Sequence, residues 1–216
     1  MMIREDVELR LLLLGGQTME YHQFRIFAPI MTTLFREIGM EVDATEDLAT
    51  LAPENLRAYA GIVNYTTARD ITDTQYDALL QFVRGGGGYI GVHCASDTFR
   101  NQPDSKRLLG GRFVEHPPQL DIVVEIADPA HPITGPLSSF TVFDELYTLD
   151  DDPTQYHLLA RSPSHGLQPV AWTRDEELGR VFYVSIGHNA ETYANPLSRR
   201  LLQRGVQWAV GLEPTA

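Results

Sequence analysis

Apolar residues run unbroken from Leu11 to Leu14 and give way to Gly15 and Gly16. A continuous apolar run closed by glycine predicts a strand over residues 9–15 that is buried on both faces, the kind parallel sheets use. A polar stretch over 16–22 follows. Phe24, Phe27, Ile30, Met31, Leu34, Phe35 and Ile38 then recur at spacings of three and four and predict an amphipathic helix, stopped by Gly39. Residues 40–43 read as a short strand, Pro53 as the first turn of a small helix, and 61–65 as another buried strand. Thr72 with Gln75 three residues on is a capping box. It opens a helix carrying Tyr76, Leu79, Leu80 and Val83, which ends at Gly85 before a strand over 88–93. This β-α-β-(α)-β-α-β order implies a parallel sheet with helices on both faces.

The pattern changes beyond residue 120. Segments 121–127, 140–148, 157–161, 170–173 and 180–186 read as strands with no helical periodicity between them. The last two flank the polar turn Arg174-Asp-Glu-Glu-Leu-Gly179 and predict a hairpin. The C-terminal half is therefore expected to add an antiparallel extension to a mostly parallel sheet. Leu197, Leu201, Leu202, Gly205, Val206 and Ala209 line one face of a terminal helix that starts near Asn195 and Pro196. No repeat or Pro/Ser-rich linker divides the chain, so residues 1–216 are expected to form a single domain.

Charge narrows the partners. With 17 Lys+Arg against 29 Asp+Glu, the 216-residue chain carries a net charge of −12. That argues against nucleic acid, whose phosphates demand a basic patch, and against an anionic membrane surface. Cys94 is the single cysteine, which excludes an intrachain disulfide and a cysteine-rich zinc site. No apolar run approaches the ~20 residues that span a bilayer. Glu5, Asp6 and Glu8 ahead of the leucine run do not resemble a secretory signal. The expectation is a cytoplasmic protein.

Ligands of open parallel sheets bind beyond the carboxyl ends of the strands, which draws attention to residues 15–22, 93–97, 112–118 and 187–193. Gly91-Val-His93-Cys94-Ala-Ser96 has the form of a strand-to-turn elbow, with His93 at its exposed position. A small buried side chain is the favoured reading of Cys94. Gly86-Gly-Gly88 precedes a strand instead of opening a helix, so it reads as a turn and not a phosphate cradle. His188 with Glu191 three residues on can form an oriented acid–base pair; Asn189 as a helix cap with exposed neighbours fits that segment equally well. In the apolar segment around Asp144 and Glu145, one carboxylate faces a site or both follow alternation with a solvent face. His22, His93, His116 and His188 have no close metal-ligand spacing, so a metal centre requires spatial convergence with Glu145 or Glu191. Phe99, Phe113, Tyr147 and Tyr193 stack on a sugar ring or simply fill the core.

Four strings carry a family resemblance: FVRGGGGYIGVHCASDTF over 82–99, LGGRFVEHPP over 109–118, DELY over 144–147 and GHNAETY over 187–193. Together they resemble the ThuA-like proteins, associated with trehalose utilisation. The resemblance implies a flavodoxin-like α/β fold similar to class I glutamine amidotransferases, a three-layer sandwich. It also implies sugar catabolism, with a 3-keto disaccharide or glycoside as substrate, made by a partner sugar dehydrogenase. In the amidotransferases a Gly-x-Cys turn presents the nucleophile and a His-x-Glu pair completes the triad. Here His93 stands where that cysteine would, Cys94 is one position late, and His188 and Glu191 are one residue further apart. The expected catalytic residues are His93, His188 and Glu191. His22, Asp97, Arg112, His116, Glu145, Asn189 and Tyr193 are the expected substrate contacts. His93, His188 and His116 are candidate ligands of a divalent metal, with zinc in view. The alternatives are a non-catalytic sugar-binding or regulatory module and a cysteine-dependent hydrolase or amidotransferase using Cys94. Homo-oligomers are common among such enzymes, and the sequence leaves the oligomeric state open.

Overall fold

The computed structural model describes residues 9–16 and 21–215. The expected polar stretch over 16–22 falls partly outside these residues, as do Glu5, Asp6 and Glu8. In chain order the first half comprises β1 (Arg10–Gly16), α1 (Phe24–Arg36), β2 (Glu41–Thr45), α2 (Pro53–Leu56), β3 (Gly61–Thr66), α3 (Asp73–Arg84), β4 (Gly88–Val92) and α4 (Ser105–Leu109). The strands β5 (Gly111–Glu115), β6 (Leu120–Ile126), β7 (Phe140–Asp144), β8 (Thr148–Asp151), β9 (His157–Ser162), β10 (Gln168–Glu176) and β11 (Gly179–Val184) follow. Two helices close the chain, α5 (Ala190–Ala194) and α6 (Pro196–Ala209).

Nine strands form one sheet in the order β2-β1-β3-β4-β11-β10-β9-β6-β7, and β5 pairs with β8 in a separate ribbon. Neighbours from β2 to β11 run parallel; those from β11 to β7 run antiparallel. Period-2 alternation gives β1 two different neighbourhoods. Leu11 and Leu13 join α1, α5 and α6 in one core, whereas Leu12 and Leu14 join α2, α3 and α4 in the other. Both sheet faces are covered, which is why β1 reads as unbroken leucine.

The expected capping box is present: Thr72 Oγ1 accepts from the Gln75 backbone N–H, and the Gln75 side chain answers the Thr72 backbone. The hairpin is tighter than expected, because β10 and β11 extend to Glu176 and Gly179 and leave Glu177-Leu178 as the turn.

The expected strand over 140–148 is broken. β7 stops at Asp144, β8 begins at Thr148, and the intervening residues leave the sheet. The Asp144 carboxylate accepts the Glu145 backbone N–H at 2.7 Å, so that N–H is committed locally and the ladder ends. β6 meets β9 over only two residue pairs, and β7 packs against α5 and α6. This return brings the end of β7 beside the loop that follows β11.

Candidate active site

Three strand ends and the break after β7 converge. His93 follows β4 directly, with its backbone in the left-handed region at φ +46°. A non-glycine residue there costs about 1–3 kcal/mol and is held only when its surroundings impose it. Two features impose it. Gly91 lets the turn close, since a Cβ there would meet Leu109 Cδ1 at 2.5 Å and Tyr183 Cδ2 at 2.9 Å. The Tyr183 hydroxyl lies 2.8 Å from the His93 carbonyl, to which it donates, and 2.9 Å from Ser96 Oγ. His22, after β1, is also left-handed, at φ +54°.

The loop after β11 is tied to the end of β7 by one buried carboxylate. Asp144 accepts the backbone N–H of Gly187 and of His188, each at 3.0 Å, and the Thr192 hydroxyl. Gly187 has φ +143°, and a Cβ there would come within 2.8 Å of the Tyr193 hydroxyl. That hydroxyl donates to the Gly187 carbonyl at 2.9 Å. His188 and Glu145 are thus fixed by the same aspartate.

Four side chains meet: His22, His93, Glu145 and His188 each offer one ligand atom, all within 4.8 Å of one another. Glu145 Oε2 lies 3.2 Å from His188 Nδ1 and 3.4 Å from His93 Nε2. His22 Nε2 lies 3.0 Å from His188 Nδ1. His93 Nδ1 is 2.6 Å from the Ser185 carbonyl, which can only accept, so in the neutral ring Nδ1 holds the proton and Nε2 is a lone pair. Tyr147 Oη, 2.8 Å away, donates to that lone pair.

Burial governs His22, whereas hydrogen bonds within the cluster govern Glu145 and His188. Burial, reinforced by His93 and His188, pushes the His22 pKa down to about 2. Burial alone would raise Glu145, but the hydrogen bond from His188, with His93 close by, holds its carboxyl well below the usual range. The hydrogen bond to Glu145 raises His188 against a smaller opposing effect of burial.

The other expected contacts are dispersed. Of the expected metal set, His93 and His188 group with His22 and Glu145, while His116 stands at the rim outside that group, its Nε2 3.7 Å from Glu145 Oε2. Glu191 is exposed in the first turn of α5, and the carboxylate in contact with the His188 ring is Glu145. Asp97 pairs with Arg69 and Arg100, and Arg112 donates to Ser105 Oγ at 2.8 Å. Asn189 donates to Gln119 and to the Phe143 carbonyl, while Tyr193 is buried beneath the loop. Cys94 is buried, its thiol faces the Tyr65 carbonyl at 3.5 Å, and burial raises its pKa. An enclosed thiol with a raised pKa is a poor nucleophile, which counts against the cysteine-dependent reading. Sequence reasoning missed Asp144 as the brace and Tyr147 as a polar member of the site. The available signal was an Asp-Glu pair closing an apolar strand.

The molecule is thus a mixed α/β protein with a histidine–carboxylate cluster at the carboxyl ends of its parallel strands. The family model described as ThuA, trehalose utilisation, matches residues 10–209, and the chain belongs to that family. A ThuA-like protein of Bacteroides uniformis superposes with a TM-score of 0.76 at 24% identity, covering 95% of this chain and 94% of that one. A ThuA-like protein of Parabacteroides merdae gives 0.81 at 19%, covering 96% and 92%. A β-galactosidase of Bacillus circulans gives 0.65 at 12%, covering 96% of this chain but 32% of the enzyme. These likenesses show the fold. Comparison with curated proteins returns no match. No helix among the described residues is long and apolar enough to cross a membrane.

Proposed function

We propose that the chain is an enzyme of sugar catabolism acting on a keto-disaccharide or keto-glycoside, with a divalent cation such as zinc held by His22, His93, Glu145 and His188. The observation that carries this reading is the convergence of those four ligand atoms within 4.8 Å. The donor set fits a cation. His93 Nε2 is a lone pair, Glu145 is ionised, His22 is kept neutral, and His22 Nδ1 is buried with no hydrogen-bond partner among the described residues. Acceptors outnumber protons, and these are the protonation states that metal binding requires.

The same shifts favour one of two chemistries. A carboxylate held far below its ordinary range and an imidazole whose pKa is pushed down to about 2 are weak bases. They serve better as ligands than as proton carriers. A bound divalent cation would polarise a sugar carbonyl or hydroxyl oxygen. A carbonyl at C3 acidifies the C2 hydrogen, and its loss permits elimination of the C1 substituent; water addition completes net hydrolysis. His116, exposed at the rim and 3.7 Å from Glu145, is the group placed to exchange protons with solvent. A sugar dehydrogenase would supply such a substrate. The finer fold assignment, a flavodoxin-like and amidotransferase-like three-layer sandwich, belongs to the same proposal. The strand order β2-β1-β3-β4-β11 and the helices on both faces support it.

The test is elemental analysis of gently purified protein together with turnover of a 3-keto glucoside. Near-stoichiometric metal and turnover, both lost in His93→Ala and His188→Ala, are expected. Turnover by metal-free protein would return the site to acid–base catalysis. Sugar binding with no turnover would make it a binding module.

A further inference from the structure

Tyr147 is buried, yet its hydroxyl is part of the polar cluster. Its ring packs at 4.4 Å from Phe113 and 4.2 Å from the His93 ring, centroid to centroid, and is stacked at 5.9 Å by His116. The ring is therefore held on several sides, while the single polar atom meets His93 Nε2 at 2.8 Å. In the neutral ring that nitrogen has no proton of its own to offer, because the Ser185 carbonyl at 2.6 Å holds the ring proton on Nδ1. The hydroxyl is thus the donor and Nε2 the acceptor. Nε2 is also the His93 lone pair directed at Glu145 Oε2, 3.4 Å away, and so the one directed into the four-ligand group. One lone pair cannot serve a hydrogen and a cation at once.

We propose that Tyr147 is a ligand-contacting residue with two hydrogen-bonding states: its hydroxyl satisfies His93 Nε2 in the cation-free protein, and donates to an oxygen of the bound keto-sugar once a cation takes that nitrogen. This rests on the cation-dependent sugar-enzyme reading above. The substrate class it selects is a sugar presenting an oxygen acceptor, carbonyl or deprotonated hydroxyl, next to the cation. Loss of the Nε2 partner leaves a buried hydroxyl that must find another acceptor. Glu145 is already engaged with His188, and the ring packing keeps the hydroxyl pointed into the cluster. An oxygen on the incoming ligand meets that need, and an all-apolar ligand does not.

Tyr147→Phe keeps the ring and removes only the hydroxyl. The experiment measures zinc binding to the cation-free wild-type and variant proteins by calorimetry, then binding and turnover of a 3-keto glucoside by the zinc-loaded forms. Zinc is expected to bind the variant about twofold to tenfold more tightly, since one competing hydrogen bond is gone. The keto-glucoside is expected to bind it at least about tenfold more weakly, since a donor to the ligand oxygen is lost. Weaker zinc binding by the variant would show that Tyr147 only props His93, and would overturn the proposal. Unchanged keto-glucoside affinity and turnover with intact zinc binding would overturn it as well. If wild-type protein binds no zinc, manganese or nickel, the site reading itself fails, an outcome distinct from either.

Discussion

His93 is a buried imidazole on a left-handed backbone, with one nitrogen spent on a carbonyl and the other aimed into the cluster. A ring so constrained cannot be replaced by a shorter polar side chain without losing reach. His93→Asn tolerates the left-handed backbone, because asparagine is enriched there, but withdraws the donor. We expect a folded variant with cation affinity reduced by at least about tenfold, checked by circular dichroism and a zinc titration; undiminished affinity would remove His93 from the ligand set. Cys94, its neighbour, gives the opposite expectation. Cys94→Ser should leave cation binding and turnover within about twofold of wild type, and iodoacetamide should modify the native thiol only on unfolding. Rapid alkylation with loss of activity would contradict the buried, neutral thiol. His93, His188 and Cys94 were legible in the sequence because the elbow and the strand ends are local patterns. Glu145 as the partner of His188 was not. The Glu191 spacing is local and visible, whereas Glu145 lies 43 residues before His188 and reaches it only through the return of β7.

At the level of elements, the parallel half was legible and the site's second wall was not. Buried strands, the α1 stripe and the capping box at Thr72 are written in periodicity and caps, which operate within a few residues. The break between β7 and β8 depends on an aspartate bonding its own chain and two N–H groups from residues 187 and 188, information no window contains. The two kinds of feature should respond differently to mutation. Thr72→Ala removes a cap and should cost about 1 kcal/mol in urea unfolding. Cation binding should be unchanged, since α3 gives no residue to the cluster. Asp144→Asn leaves the shape but presents an amide to donors that need an acceptor. It should lower stability by about 2–4 kcal/mol. It should also weaken cation binding about 10- to 100-fold, as loss of a residue bracing metal ligands does. Equal loss of stability in both variants with cation binding intact would show that Asp144 braces the fold and not the site.

Across the whole molecule, a net charge of −12 favours cations generally, so a specific site must be distinguished from diffuse attraction. Protons make that distinction. In the cation-free protein, His22 has a folded pKa near 2 against 6.5 unfolded, so it binds a proton only on unfolding and destabilises the fold as pH falls below about 6.5. His188 has the opposite sign: its raised pKa stabilises the fold below about 6.5, and that contribution fades as pH rises through the folded value. Glu145, depressed, adds stability above about 4.5 that is lost in acid. Of these three groups, His188 is the one that holds its proton more tightly than a free imidazole, a proton that a cation must displace. Zinc affinity should keep rising with pH above 6.5, by at most about tenfold per unit for one released proton. His188→Gln should bind more weakly with a flattened slope. His22→Gln should also bind more weakly but keep the wild-type slope, because His22 has no proton to release. Diffuse binding to an acidic surface would instead fall with added salt, and would show the same pH slope in all three proteins.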